Sequence, residues 1–342
     1  MTDKTTYLSL VKQMAEDGAP IAALALATAD ARRRQNLKRL AGDIRFAGIN
    51  ELLVRLSGIG KAFSETPELS RITFMVQRAH ADFMTALEAT LSGYFSVASD
   101  AMRDVLEIQY LLMDFAINPD HAEEWLTTDE KGRMKDFSPA AVRRRLQAAG
   151  VVNFGDRAVS MDYKGHSMAL HVSPVRLLNS ADGIVAQHSW LNEAGFWEIF
   201  DHGHGLMEGL TLLVDRLVPG SRAADIVGRD LKTFDEARGK AHELMRLWER
   251  IPDARAALRA GDRTAAGGTL FVGLTQNGLL DGTLLKREVD EEWGQALEGR
   301  LQELMAGDEP IARAAATMLH VILTEDDSEA TLRDETESPA QD

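Results

Sequence analysis

The densest group of residues that could bind a metal ion lies in one short segment. Glu198 and His202 are four residues apart, as are His204 and Glu208, and this spacing places each pair on one face of a helix. A carboxylate and an imidazole so placed can bind Zn²⁺ or Fe²⁺ when a neighbouring helix completes the coordination. Because His202 and His204 point about 200° apart on a regular helix, they share a metal only if the adjacent glycines break the turn. The segment predicts either a metal site or a glycine-loosened, solvated helix.

A serine and a histidine could form a nucleophile and its base. Ser167 and His171 are four residues apart, so they are neighbours if residues 159–172 are helical. The same residues also alternate in polarity as a β-hairpin does. Since the flanking sequence is helical, we favour a helix. No orienting carboxylate is in register, and we therefore interpret His171 first as a histidine satisfied by a hydroxyl.

A polar stripe interrupts an otherwise apolar helical pattern. Its members, at spacings of three and four, are Asp100, Arg103, Glu107, Tyr110 and Asp114. The stripe is either a solvated face or a hydrogen-bonded network that lines a cleft and shifts pKa values. The network interpretation predicts that Arg103 and Glu107 contact residues 163–171.

Six residues separate Arg313 from His320 near the end of the chain. This Arg-x(4–6)-His spacing resembles that of the HEPN helical ribonucleases and toxins, although Ala314 replaces the polar residue that usually follows the arginine there. The resemblance implies cleavage of an RNA phosphodiester with the 2′-hydroxyl as nucleophile. Such an activity would depend on Arg313 and His320, or on the region of Arg103 and His171.

The middle of the chain also resembles a group of uncharacterised bacterial all-helical proteins over about residues 90–178. The matching residues are Arg103, Glu107, Tyr110, Trp125, Val142, Arg143, Tyr163, Ser167, His171, Val172 and Ser173. The resemblance implies an all-α fold and draws attention to Arg103, Glu107, Ser167 and His171. It implies no particular reaction.

Composition excludes several classes of function. The 342 residues contain no cysteine, which rules out disulfides, thiolate metal sites and cysteine nucleophiles. The formal net charge of −15 opposes extended nucleic-acid binding, although two arginine triplets occur at 32–34 and 143–145.

The sequence shows neither a membrane-length apolar run nor a signal-peptide layout, so we expect a cytoplasmic protein. We also expect no cofactor, since nucleotide-binding motifs are missing, and a partner that is another protein or a second copy.

Helical periodicity dominates the chain and predicts an all-α, multi-helix bundle with long amphipathic helices. The predicted helices are 20–41, 43–57 (closed by Gly58 and Gly60), 67–117 (kinked near Ser92 and Gly93), a short one around 123–126, 139–149, 191–218, 221–250, 284–305 and 309–323. A polar loop is predicted at 127–136, and a mobile loop or subdomain boundary at 261–269.

We divide the chain into a main helical domain (1–260), a C-terminal helical subdomain (261–324) and a disordered acidic tail (325–342). The tail holds eight acids and one arginine, with almost no large apolar side chain.

The sequence leaves three functions open. A non-enzymatic helical scaffold or regulatory protein is favoured, over a HEPN-like ribonuclease of phage defence or stress response and a metal-dependent enzyme.

Overall fold

The computed structural model describes residue 9 and residues 12–151, 191–277, 279–280, 291–307 and 310–324. All regular secondary structure in these ranges is helical, which confirms the predicted all-α fold. The helices are α1 (Ile21–Leu40), α2 (Ile44–Glu65), α3 (Pro67–Ser70), α4 (Thr73–Ser92), α5 (Phe95–Ile117), α6 (Asp120–Thr127), α7 (Glu130–Asp136), α8 (Pro139–Ala148), α9 (Leu191–Leu217), α10 (Arg222–Val227), α11 (Lys232–Arg259), α12 (Arg263–Gln276), α13 (Glu291–Ala306) and α14 (Pro310–Thr324).

The chain forms two compact units, of which one ends at His242 and the other begins at Glu243. The domain boundary that the sequence analysis places after residue 260 stays a prediction. The predicted tail at 325–342 and the ambiguous segment at 159–172 lie outside the described residues. Within the described part of the chain, no helix is long and apolar enough to cross a membrane.

A helical hairpin replaces the single long helix predicted over 67–117. Gly93 has φ +84° and ends α4, because glycine adopts this left-handed conformation without a steric cost. The chain turns back, α5 packs along α4, and an ion pair joins Arg78 to Asp104 across the hairpin. The prediction of a kinked continuous helix is therefore wrong: the glycine reverses the chain.

Several glycines let α9 pack closely against its neighbours. A Cβ added to Gly205 would lie 2.5 Å from Gln109 Oε1 on α5, and one added to Gly203 would lie 2.9 Å from Leu52 Cδ2 on α2. Gly209 faces the backbone of Gln109. The expectation that the glycines around His204 loosen this helix is wrong, since α9 runs unbroken and the glycines permit close packing.

Other helix ends also differ from prediction. Gly58 and Gly60 lie inside α2 rather than closing it. The predicted mobile loop at 261–269 is mostly the first half of α12, where the Asp262 side chain accepts a hydrogen bond from Ala265 N. The predicted polar loop at 127–136 contains α7, and the helix predicted over 221–250 is split into α10 and α11. In contrast, Ser138 caps α8 and Pro139 occupies its first turn, as predicted.

Candidate binding groove

A groove of about 910 Å³ lies in the N-terminal unit between α5 and α9. Its apolar lining comes from Leu106, Tyr110, Met113, Val151, Met207, Leu212, Val227, Leu231 and Phe234. Most of these side chains are also buried in the core. The residues that line the groove come chiefly from α5, α9, α10 and the start of α11. We call this feature the groove below.

Three of the four predicted metal ligands line the groove. His202 is buried and His204 is half-buried, with His204 Nε2 lying 3.4 Å from Glu208 Oε1. Glu198 is not among the lining residues. Among the described residues, no three histidine, aspartate or glutamate side chains converge as a metal site would require.

Asp201 connects two walls of the groove. Its Oδ1 lies 3.4 Å from Arg238 Nη2 and 3.5 Å from His242 Nε2, and both partners belong to α11. Burial raises the pKa of Asp201, but the contacts with His242, His202 and Arg238 together outweigh burial and hold this pKa below its ordinary range. The ionised carboxylate therefore helps to hold α9 against α11.

A tryptophan fixes the position of the His242 proton. Trp197 Nε1 donates a hydrogen bond to His242 Nδ1 over 3.2 Å. An indole N–H can only donate, so Nδ1 must accept, and a neutral imidazole carries its proton on Nε2. Nε2 is the ring nitrogen that lies 3.5 Å from Asp201 Oδ1. The three side chains form a chain of polar contacts from α9 to α11 and back.

The C-terminal end of the predicted polar stripe, at Asp114, belongs to a buried ion-pair cluster. Asp114 is 1% exposed and accepts hydrogen bonds from Arg145 Nε at 2.8 Å and Nη2 at 2.6 Å. His121 Nδ1 lies 3.0 Å from Asp114 Oδ2, the oxygen that also accepts from Arg145 Nη2. Phe137 packs beneath both partners, 5.1 Å from the Arg145 guanidinium and edge-on to His121. This cluster joins α5, α6 and α8.

The N-terminal end of the stripe is more exposed. Arg103 Nε lies 3.2 Å from Glu107 Oε1, and both side chains are half-buried. Asp100 is exposed, whereas Tyr110 is buried and lines the groove. The stripe is thus solvated at one end and buried at the other. The predicted contact with residues 163–171, and the candidates Ser167 and His171, lie outside the described residues.

Arg313 and His320 lie two turns apart on the same side of α14 in the C-terminal unit. Arg313 is exposed, and His320 is half-buried with its Nδ1 3.0 Å from Glu298 Oε2. Hydrogen bonds from Gln302 and His320 lower the pKa of Glu298. The helical rise separates the two backbone positions by about 10.5 Å.

Sequence reasoning missed Arg145, Trp197, Arg238 and His242. Arg145 belongs to the arginine triplet at 143–145, yet it pairs with a carboxylate 31 positions away. Trp197 and His242 are 45 positions apart. No local pattern signals such pairs, because they are set by how the helices pack.

Comparison with protein-family models finds no match to this chain, and neither do comparisons with curated proteins and with solved structures.

Proposed function

We propose that the chain is a non-enzymatic helical scaffold or regulatory protein that binds another protein in the groove. The observation that carries this proposal is the groove itself, whose described lining combines mostly buried apolar side chains with exposed charged ones. An apolar centre within a polar rim is the usual anatomy of a protein interface.

The pairing of the charged groups supports binding over proton transfer. Asp201 is engaged by Arg238 and His242, and Glu208 by His204. Such pairs stabilise the walls of the groove. A wall held by interhelical contacts offers a partner a preformed surface, which reduces the entropy lost on binding.

A substitution that fills the groove tests this proposal. Thr211 lines the groove and is exposed, so Thr211→Trp places an indole where a partner would lie. Thr85→Trp is a matched control, because Thr85 is also exposed within a helix and its hydroxyl donates to the carbonyl four residues earlier, as that of Thr211 does.

The tagged full-length chain and both variants are mixed with a lysate of the source cells, cross-linked and recovered, and the captured proteins are quantified by mass spectrometry. We expect at least one protein captured by the wild type and by Thr85→Trp and lost with Thr211→Trp. Identical captured sets for all three chains would contradict binding in the groove.

RNA cleavage in the C-terminal unit is a second proposal. Glu298 holds Nδ1 of His320, which directs the other ring nitrogen away from this carboxylate. A histidine oriented by a carboxylate is a common arrangement for a general base. Arg313, exposed on the same side of α14, would hold a phosphate.

A further inference from the structure

A row of carboxylates follows the groove along α9. Asp201, Glu208 and Asp215 all line the groove and recur at intervals of seven residues. On a helix this interval returns each side chain to nearly the same face, about 10.5 Å further along the axis. The acidic row therefore spans about 21 Å of one wall.

Among the described residues that line the groove, carboxylates outnumber guanidiniums. The carboxylates are Asp201, Glu208, Asp215 and Asp235, and the guanidiniums are Arg229 and Arg238. Arg238 is engaged by Asp201, and Glu208 remains 55% exposed beside His204. Asp215 and Asp235 are exposed. A cationic partner is therefore favoured in the groove, whereas a polyanion is repelled.

Apolar side chains lie beside the acidic row. Leu212 is 39% exposed and lies between Glu208 and Asp215 in sequence. Met113 and Met207 also line the groove, from α5 and α9, although only 5% and 8% of their surface is exposed. Methionine side chains adapt to irregular apolar partners. The surface thus offers apolar contacts flanked by regularly spaced negative charges.

We infer that the partner segment is an amphipathic helix with a basic face, which lies along α9 with its apolar side chains in the groove. This inference rests on the proposed function and names the chemistry of the partner. A helix that lies alongside α9 presents side chains at the same seven-residue interval, so its lysines or arginines can meet each carboxylate of the row, as flanking charges do in coiled coils.

The probe is a synthetic, fluorescein-labelled peptide of about three heptads, with leucine at its a and d positions and lysine at its e and g positions. Its binding to the full-length chain is measured by fluorescence anisotropy. Glu208→Lys/Asp215→Lys reverses the two more exposed members of the row. Glu124→Lys/Glu236→Lys makes the same change of net charge at exposed residues outside the groove lining and is the matched control.

We expect the row variant to bind the probe about tenfold more weakly than the wild type, and the control variant to bind within about twofold. A second peptide with glutamate in place of lysine should bind the row variant better than it binds the wild type. Glu208→Gln/Asp215→Asn, which only removes the charges, should give an intermediate affinity. Circular dichroism and melting temperature verify that each variant is folded.

Three results would overturn the inference. Equal weakening by the control variant would show general attraction to an acidic protein, and unchanged binding to the row variant would show that the row is not used. Sedimentation that shows a dimer abolished by the row variant would identify a second copy as the occupant. If any of these three results is obtained while Thr211→Trp still loses a captured protein, the inference is wrong and the proposed function stands.

Discussion

Arg145 and Asp114, 31 positions apart in the chain, form a bidentate ion pair that fastens α8 to α5. Arg145 Nη2 lies 2.6 Å from Asp114 Oδ2, and the carboxylate is almost completely buried. Paired N–H donors matched to a carboxylate are among the stronger charged contacts in proteins. The pair, with His121, holds α6 and α8 against α5, the helix that carries Tyr110 and Met113 into the groove.

Arg145→Ala should destabilise the fold strongly. The substitution leaves the buried carboxylate of Asp114 with His121 as its remaining ionic partner, and loss of one member of a buried pair costs about 3 kcal/mol. The free energy of unfolding in urea measures this cost. Arg144→Ala, at the exposed neighbouring arginine, is the control and should change stability by less than about 0.5 kcal/mol. Equal effects of the two substitutions would show that the pair contributes little.

Asp201 should make stability depend on pH in the acid range. Because its folded-state pKa lies below the unfolded-state value of about 3.9, its ionised form stabilises the fold above that value, and this contribution is lost as the pH falls through the folded-state pKa. Asp201→Asn should therefore lower the free energy of unfolding at neutral pH, by about 1 kcal/mol or less because the side chain is partly exposed. Urea unfolding across pH should show this difference shrinking at acid pH.

The pKa of Asp82 is shifted in the opposite direction from that of Asp201. Burial raises its pKa most, Arg78 lowers it, and Asp104 and Asp100 raise it further, so its folded-state pKa lies above the ordinary value. Its contribution is present below the unfolded-state pKa and is lost as the pH rises through the folded-state value. Asp82→Asn should therefore gain stability relative to the wild type as the pH rises from acid to neutral. The same pH trend for both variants would contradict the assignment.

Added zinc or iron should leave the melting temperature of chelator-treated protein unchanged. A metal bound only by the folded chain would add about 2.7 kcal/mol at a free concentration 100 times its dissociation constant, which a thermal scan detects readily. A clear rise that His202→Ala abolishes would instead favour the metal-dependent enzyme that the spacing of Glu198, His202, His204 and Glu208 suggests.

The second proposed function predicts a separate result. Purified chain incubated with single-stranded RNA should cut it only if Arg313 and His320 are catalytic, and His320→Ala would then abolish cleavage. Thr211→Trp should leave any such cleavage intact, because the groove lies in the other unit. The scaffold account expects uncut RNA with all three chains.

Local sequence patterns predicted much of the fold and little of the candidate site. Ser138 and Pro139 mark the start of α8 because capping and proline geometry act within one turn. The roles of the glycines could not be predicted, because glycine serves two different purposes in this fold. Gly93 ends α4, whereas Gly205 permits close packing within α9. The choice between these roles depends on which helix lies opposite.

The site was predictable only where both partners lie on one helix. The contact of His204 with Glu208 follows from their spacing. The contacts of Asp201 with Arg238 and of Trp197 with His242 join helices that are far apart in the chain. They depend on how α9 and α11 pack, which spacing along the sequence does not encode.

Photo-cross-linking from inside the groove tests the central claim most directly. A photoreactive p-benzoylphenylalanine replaces Leu212 in the full-length chain, and a control chain carries it at Val321, which is outside the groove and equally exposed at 40% against 39%. Both chains are irradiated in the source cells and analysed by denaturing electrophoresis and mass spectrometry. The account predicts a cross-linked protein from position 212 that is missing from position 321. Identical products from both positions, or none from position 212, would contradict binding in the groove.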